Sequence, residues 1–347
     1  MKKYAVLFML MALGVMVSAQ TTRDGLLYVN KSLSADAIQQ VEANTSGGGI
    51  QVSGVAATEA RIEVYVSGNN GRFSNLTKEE IKKRLDADYD FSVTVANHKL
   101  TANARTKRGF NDWRKSLNIS FAIYVPSQVS TELSTSGGGV GLQNLSGTQN
   151  FRTSGGGLDV KQVSGHITGR TSGGGIYVAD SKDNIDLETS GGGIEAVHCS
   201  GKIKLNTSGG GLHLKDLDGS ITATTSGGGV DGDQIKGELF THTSGGNVSL
   251  TDISSSLEAS TSGGNIHVEM VSPAKFVKLR NSGGRIDLQI PKNVGFDLRI
   301  NADKIRTDAL SNFNGSTEDN EIRGSINGGG IPIVADAGGG RVNLSFR

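Results

Sequence analysis

The chain has 347 residues, of which 50 are glycine and 5% are aromatic. Lys and Arg total 35 and Asp and Glu 34, and without Lys2 and Lys3 the balance becomes 33 against 34. This near-neutral balance offers no general electrostatic attraction to nucleic acid. The single cysteine, Cys199, excludes an intramolecular disulfide.

Residues 1–19 have the three parts of a secretory signal peptide. Two lysines follow Met1, an apolar run extends from Tyr4 to Val17, and small residues end the segment. The apolar run is shorter than the roughly 20 residues that cross a bilayer, which favours cleavage over anchoring. We therefore expect an exported protein in the periplasm, on the outer surface or in the medium, with no transmembrane segment in the mature chain.

Residues 20–130 are expected to form a first repeat, which begins at Thr45, and an N-terminal cap. Alternating apolar residues predict strands at 61–66 and 117–125. Thr77 followed by Glu80 is a capping-box pattern and predicts a short helix that continues to about Leu85. Such a cap would cover a sheet edge that otherwise promotes aggregation.

A repeat fills residues 131–347. The sequence Thr-Ser-Gly-Gly recurs at a constant interval of 18 residues, and a constant interval predicts stacked repeats. A degenerate copy begins at Asn281, and the chain ends in a possible closing strand at 341–346. The regular copies begin at Thr135, Thr153, Thr171, Thr189, Thr207, Thr225, Thr243 and Thr261.

Each repeat, numbered from its Thr, has apolar residues at positions 6 and 8 and again at 15 and 17. This alternation predicts two short, half-buried strands and two corners. Eighteen residues cannot enclose a core alone, but units stacked about 4.8 Å apart bury a continuous aliphatic column. The predicted fold is all-β: a β-solenoid (β-helix) of 18-residue rungs with an N-terminal cap that contains one short helix.

The polar residues of the motif have structural roles in this interpretation. The glycine run is expected to form a corner because it permits φ > 0 and has no Cβ to obstruct the neighbouring rungs. Counting by two from positions 15 and 17 places the Thr inward and the Ser outward. The Thr hydroxyls are therefore expected to form an internal ladder.

The chain resembles a family of bacterial β-strand-repeat proteins that are labelled adhesins and are related to autotransporter head domains. The resemblance rests on the leader, the Thr-Ser-Gly-Gly-Gly-Ile/Val units, the stretch from Trp113 to Pro126, and the closing Asn327-Gly-Gly-Gly330. It implies an exported, envelope-associated β-solenoid. It supplies no catalytic residues.

Two candidate sites within the repeat are interpreted as structural. His198 and Cys199 are neighbours on a strand and point to opposite faces, so Cys199 is expected to be a buried free thiol. Position 10 brings Asp180, His198 and Asp216 into one column, but this column lacks the three or four convergent ligands of a zinc site. No metal, cofactor or catalytic residue is predicted.

A carbohydrate-processing β-helix enzyme is the catalytic alternative. It would need two carboxylates about 5 to 9.5 Å apart in different environments, for which Asp231 and Asp233 are candidates. Ordinary surface acids explain them equally well, and the short rungs offer no long loops to build a cleft.

The segment 107–115 combines the only tryptophan with basic residues on both sides. Stacking and cations suit contact with a sugar or an anionic surface, although anchoring of the cap by its aromatic residues is favoured. The possible interaction residues are Lys107, Arg108, Phe110, Trp113, Arg114 and Lys115.

The sequence therefore predicts a secreted or envelope-associated, non-catalytic adhesin or surface-binding scaffold. Its partner is unidentified, with a cell-surface glycan or an envelope protein as the two candidates. Two alternatives stay open: the carbohydrate-processing enzyme, and a periplasmic component of envelope-stress signalling.

Overall fold

The computed structural model describes residues 25–68, 76–108 and 116–347, and in these residues the chain is almost entirely β-strand with a single α-helix. The predicted signal peptide lies outside the described residues. The N-terminal part contains β1 (Leu26–Ser32), β2 (Gln40–Thr45), β3 (Ile50–Val55), a 3-10 turn (Ala57–Glu59), β4 (Arg61–Gly68), α1 (Lys78–Asp88), β5 (Tyr89–Ala96), β6 (Lys99–Thr106) and β7 (Leu117–Pro126).

The middle of the chain continues with strands that carry the repeat. They are β8 (Ser130–Thr135), β9 (Val140–Thr153), β10 (Leu158–Thr171), β11 (Ile176–Ala179), β12 (Lys182–Thr189), β13 (Ile194–Val197), β14 (Ser200–Thr207), β15 (Leu212–Thr225), β16 (Val230–Thr243), β17 (Val248–Thr261), β18 (Ile266–Met270), β19 (Val277–Asn281) and β20 (Arg285–Ile290). The C-terminal strands are β21 (Phe296–Asn301), β22 (Lys304–Thr307), β23 (Phe313–Thr317), β24 (Glu321–Ile326), β25 (Ile331–Asp336) and β26 (Arg341–Phe346).

The repeat strands pair in parallel, and each residue faces its equivalent in the next repeat. Leu158 pairs with Ile176, and Thr171 pairs with Thr189. Residues at positions 6, 8, 15 and 17 are buried, as the alternation predicts; Val160 and Leu187 are examples. The side chains of equivalent residues therefore form continuous columns, some in the core and some on the surface.

Most repeats form one bent strand instead of the two short strands that the sequence predicts. β10, for example, runs without interruption for 14 residues. The bend is at position 10, where a non-glycine residue has a left-handed backbone. These residues are Asn144, Gln162, Asp180, His198, Asp216, Gln234 and Asp252, with φ between 49° and 60°. Asn, Asp and His tolerate this conformation better than other side chains.

The glycine runs of the repeats do not use positive φ, so this part of the prediction is wrong. The glycines are required for steric reasons instead. A Cβ on Gly174 would overlap the backbone carbonyl group of Gly156 in the preceding repeat. The following glycine, Gly175, is less constrained, since a Cβ there would lie 3.3 Å from the Gly193 oxygen, a tight contact that a small shift relieves. Asn replaces glycine at this roomier position in two repeats, as Asn247 and Asn265.

The motif threonines are buried, as predicted, but their hydroxyls do not bond to one another. Thr189 Oγ1 donates to the Gly174 carbonyl of the preceding repeat at 2.7 Å and accepts from Gly192 N–H of its own repeat at 3.4 Å. Asn281 takes this role in the degenerate copy, where Nδ2 donates to the Gly264 carbonyl at 2.8 Å. Each Thr therefore fastens the glycine corners of two neighbouring repeats together.

At the N-terminal end, the segment inserted after the first repeat covers the outer side of that repeat. β2 pairs with β8 on one side and with β6 on the other, both in parallel. The predicted capping box is present: Thr77 accepts from Glu80 N–H at 3.3 Å and its own N–H donates to the Glu80 carboxylate at 2.9 Å. The helix that it begins, α1, packs Ile81 and Leu85 into the core.

The C-terminal strand is not the outermost strand, in contrast to the prediction that it closes the stack. β26 lies between β20 and β22 and is parallel to both. β25 lies between β19 and β21 in the same way. The chain leaves the stack after β20, forms β21 to β24, and returns to insert its last two strands.

Replacement of Gly174 by Ala should lower the free energy of unfolding by about 2–3 kcal/mol, because the new methyl group meets backbone that cannot move aside. Gly175→Ala is the matched control and should cost less than about 1 kcal/mol. Chemical denaturation monitored by circular dichroism measures both. Equal costs would show that the two glycines are kept for the same reason.

Thr189→Val keeps the shape of the side chain and removes the hydroxyl. The free energy of unfolding of the variant should be about 1–3 kcal/mol lower, since a buried carbonyl and an N–H group lose a hydrogen-bond partner. Ser190→Ala, at the exposed neighbouring position, should have little effect. A Thr189→Val variant as stable as the original protein would contradict the role assigned to the hydroxyl.

Candidate functional site

The predicted interaction segment is only partly within the described residues. Lys107 and Arg108 are exposed after β6, and Lys107 Nζ donates to the Asp86 carbonyl of α1 at 2.7 Å. The other four residues, Phe110, Trp113, Arg114 and Lys115, lie outside the described residues, so a sugar-binding role for this segment stays a prediction.

The position-10 column is present as the sequence predicts. His198 Nδ1 lies 3.5 Å from Asp180 Oδ1, and its Nε2 lies 3.8 Å from Asp216 Oδ2. All three side chains are about half exposed, and ion pairs at such sites contribute about 0–1 kcal/mol. Within the part of the chain that the structure describes, no group of three or more His, Cys, Asp or Glu side chains could hold a metal ion.

Cys199 is a buried free thiol, as predicted. It fills a core column, and its Sγ contacts the Val197 carbonyl at 3.3 Å. Burial raises the pKa of the thiol above its ordinary value, which suppresses the reactive thiolate. His198 is more than half exposed, on the outside of the bend, so the two side chains do not act together.

The first of three concave regions lies on the outer face of positions 7 and 9 and has a volume of about 270 Å³. It brings together Asp231 and Asp233 with Glu195, His213 and Lys215. His213 Nδ1 lies 3.4 Å from Asp231 Oδ2, and both side chains are more than 60% exposed. Asp233 accepts from Thr251 Oγ1 at 3.0 Å. The two aspartates lie two residues apart on one face of β16; Asp231 is open to solvent, and Asp233 is half-buried beside Thr251.

The second region is a groove of about 340 Å³ beside the glycine corner. Exposed motif serines line it together with Arg152, Arg170 and Glu188. Arg152 Nε donates to Ser134 Oγ at 3.1 Å, and Arg170 is paired with Glu188. The groove therefore offers hydroxyl and guanidinium donors in regular rows. In the sequence, the groove corresponds to the residues at positions 18 and 2 of successive repeats.

The third region is the largest of the three, about 500 Å³, and lies among the C-terminal strands. Lys292, Asp308, Asn312 and Phe346 are among the residues that line it. Asp308 Oδ2 accepts from the Phe346 N–H at 3.2 Å. No repeat position marks these residues, because the cavity is formed by the strands that leave the regular period.

Comparisons with known proteins give two weak structural similarities. A candidate cell adhesion protein from Clostridium sporogenes ATCC 15579 is 13% identical with a TM-score of 0.20, over 92% of this chain and 98% of that chain. A candidate adhesin from Parabacteroides distasonis ATCC 8503 is 10% identical with a TM-score of 0.24, over the same shares. Similarity this low does not establish a shared function.

No family model matches the sequence, and no curated protein is similar to it. Among the described residues, none of the helical structure has the length and apolar character that crossing a bilayer requires.

The thiol of Cys199 should be unreactive in the folded protein. Its reaction with a disulfide reagent at pH 8 should be at least about 100-fold slower than in guanidinium-unfolded protein, because the sulfur is reached only by local opening. Ser190→Cys combined with Cys199→Ser provides an exposed thiol at the glycine corner between β12 and β13 and should react at once. Rapid reaction of native Cys199 would show that its column is open to solvent.

Proposed function

We propose that this protein is an exported, non-catalytic β-solenoid of 18-residue rungs that acts as an adhesin or surface-binding scaffold of the cell envelope. The observation that carries the proposal is the parallel register of the repeat strands. It places equivalent outward side chains in straight columns, and Asp159, Tyr177, Glu195 and His213 form one of them. Such columns give a long, flat surface of closely spaced polar groups.

The backbone supports a rigid surface. Each repeat strand is hydrogen-bonded on both sides, and each motif Thr ties its corner to the preceding one. A surface that is already ordered loses little conformational freedom when a partner binds. This suits a protein that presents many weak contacts to a large partner.

The shape of the concave regions favours binding over catalysis. Acid–base catalysis usually depends on groups that burial or neighbouring charges hold in different protonation states. The side chains of His213 and Asp231 are mostly exposed to water, in a groove that runs over the outer face of the sheet. Hydroxyl, amide and charged groups in open grooves suit a cell-surface glycan or an envelope protein as partner.

Binding to envelope material tests the proposal. The exported protein should sediment with washed, protein-stripped cell envelopes in a saturable manner, and protease treatment of intact cells should show on which side of the outer barrier it lies. Thermally unfolded protein is the control. Failure to bind any envelope fraction would contradict a surface-binding role.

Polysaccharide incubated with the protein should keep its chain length, as measured by size-exclusion chromatography. Shortening of the chains, abolished in Asp231→Asn or Asp233→Asn but retained in Asp218→Asn on another part of the surface, would instead support the carbohydrate-processing enzyme.

A further inference from the structure

Three cationic side chains are in direct register on adjacent strands near the C-terminal end. Arg285 of β20 pairs with Arg341 of β26, and Arg341 pairs with Lys304 of β22. Ile286 and Val342, which follow the two arginines, are buried, so the arginines point outward. Adjacent strands are about 4.8 Å apart, and the three cations therefore span roughly 10 Å along the stack.

This column differs from the other charged columns. Lys204 lies beside Asp186 at 3.5 Å, for example, and Lys278 beside Glu258 at 3.8 Å. Like charges also meet in three other pairs of the described strands, but each of these pairs, like Arg285 with Arg341, includes a residue that binds an opposite charge. In the pair of Arg341 and Lys304, neither residue does so within the described part of the chain. The three pairs are Glu42 with Glu132, Arg152 with Arg170, and Arg299 with Arg323. Glu42 binds Lys99, Arg170 binds Glu188, and Arg323 binds Glu321.

Arg341 and Lys304 both lack such a partner among the described residues. The Nε atom of Arg341 is shielded from solvent and has no hydrogen-bond acceptor there. Asp287, on the same face, accepts from Arg285 Nε at 2.7 Å and from Asn343 Nδ2 at 2.6 Å, and not from Arg341 Nε. The guanidinium of Arg341 is thus held between two cations with an unused donor.

A fourth cation extends this surface. Arg306 lies two residues after Lys304 on β22, therefore on the same face, and both are exposed. We call Arg285, Arg341, Lys304 and Arg306 the C-terminal basic patch. Like charges on facing strands destabilise a sheet, so an anion bound to the solvent-facing N–H groups of these side chains would relieve the repulsion.

On the basis of the proposed surface-binding function, we infer that the C-terminal basic patch binds an acidic polysaccharide through its carboxylate or sulfate groups. The column runs across the strands, along the stack, and fits a single file of anions on an extended chain. Guanidinium groups bind such oxyanions through paired hydrogen bonds.

Two other polyanions fit this surface less well. Membrane binding usually combines basic residues with exposed apolar side chains, but the exposed large apolar residues of the described chain are Leu26, Leu27, Phe240 and Val271, outside the patch. Duplex DNA offers phosphates over a wider surface, whereas the patch is a narrow column with the carboxylate of Asp287 beside Arg285.

The test measures binding of the full exported chain to polygalacturonate and to heparin, with neutral dextran as the ligand control. Arg341→Gln and Lys304→Gln should each weaken binding roughly tenfold, since each removes one charge-assisted contact. Lys202→Gln, a charge change at the same type of outward strand position in the middle of the stack, should leave binding unchanged. Higher salt should weaken binding of the original protein.

Thermal unfolding gives a second readout that also shows whether the variants fold. Polygalacturonate should raise the Tm of the original protein and of Lys202→Gln, but not that of the Arg341→Gln/Lys304→Gln double variant. Without ligand, Arg341→Gln should unfold at or above the original Tm because repulsion is removed. Arg341→Lys keeps the charge but loses the paired hydrogen bonds, so its affinity should lie between those of the original protein and of Arg341→Gln.

Equal polysaccharide binding by the original protein and the double variant would overturn the inference. So would tighter binding to phosphatidylglycerol vesicles or duplex DNA, or no binding to either acidic polysaccharide. The envelope-sedimentation experiment separates the two proposals. If the double variant still sediments with envelopes, the surface-binding function stands and the role of the patch is contradicted. If the original protein does not sediment, the surface-binding function itself is contradicted.

Discussion

The approach of one glycine backbone to the next is the constraint on which this fold depends. Gly174 sits against the carbonyl group of Gly156 with no room for a side chain, and the same contact recurs from repeat to repeat. Because the backbones touch, the Thr at the start of each motif can reach the preceding glycine carbonyl and its own glycine N–H together. The constant spacing between Thr and the second Gly in the repeats results from this one contact.

The glycine contact at the corner also determines how side chains are arranged on the outer surface. With the backbone register set, one substitution changes one member of a column and leaves the rest in place. The repeats therefore differ freely at outward positions, from Asp186 to Lys204 to Phe240, without disturbing the core. Any specificity that resides in the repeats must arise from such differences, because the repeated scaffold is the same along the stack.

Much of this arrangement is readable from the sequence because it repeats. The period, the inward Thr, the capping box of Thr77 and the burial of Cys199 all follow from local pattern. The sequence predicts a corner at the polar position-10 residues, but their left-handed backbone was not predicted, since Gln162 and Gln234 are not residues that favour it. For the glycine corner, the predicted need to leave no Cβ against the neighbouring rung is confirmed, whereas the predicted use of positive φ in the repeats is wrong.

The C-terminal basic patch was missed for a different reason. Arg285, Lys304 and Arg341 are separated by irregular numbers of residues, and they meet only because the chain returns to insert β26. Sequence periodicity cannot predict a register that an irregular insertion decides. The same holds for the concave region of about 500 Å³, which residues of the same C-terminal segment line.

The inserted position of β25 and β26 bears on the order in which the molecule is completed. Repeats along the stack can be added one after another as the chain emerges, but β21 and β22 have no parallel partner until residues 331–346 arrive between them and β19 and β20. Residues 331–346 are thus the ones that join the outer strands to the stack. Until they are in place, β19 and β20 each present an unpaired edge, which can pair with another chain.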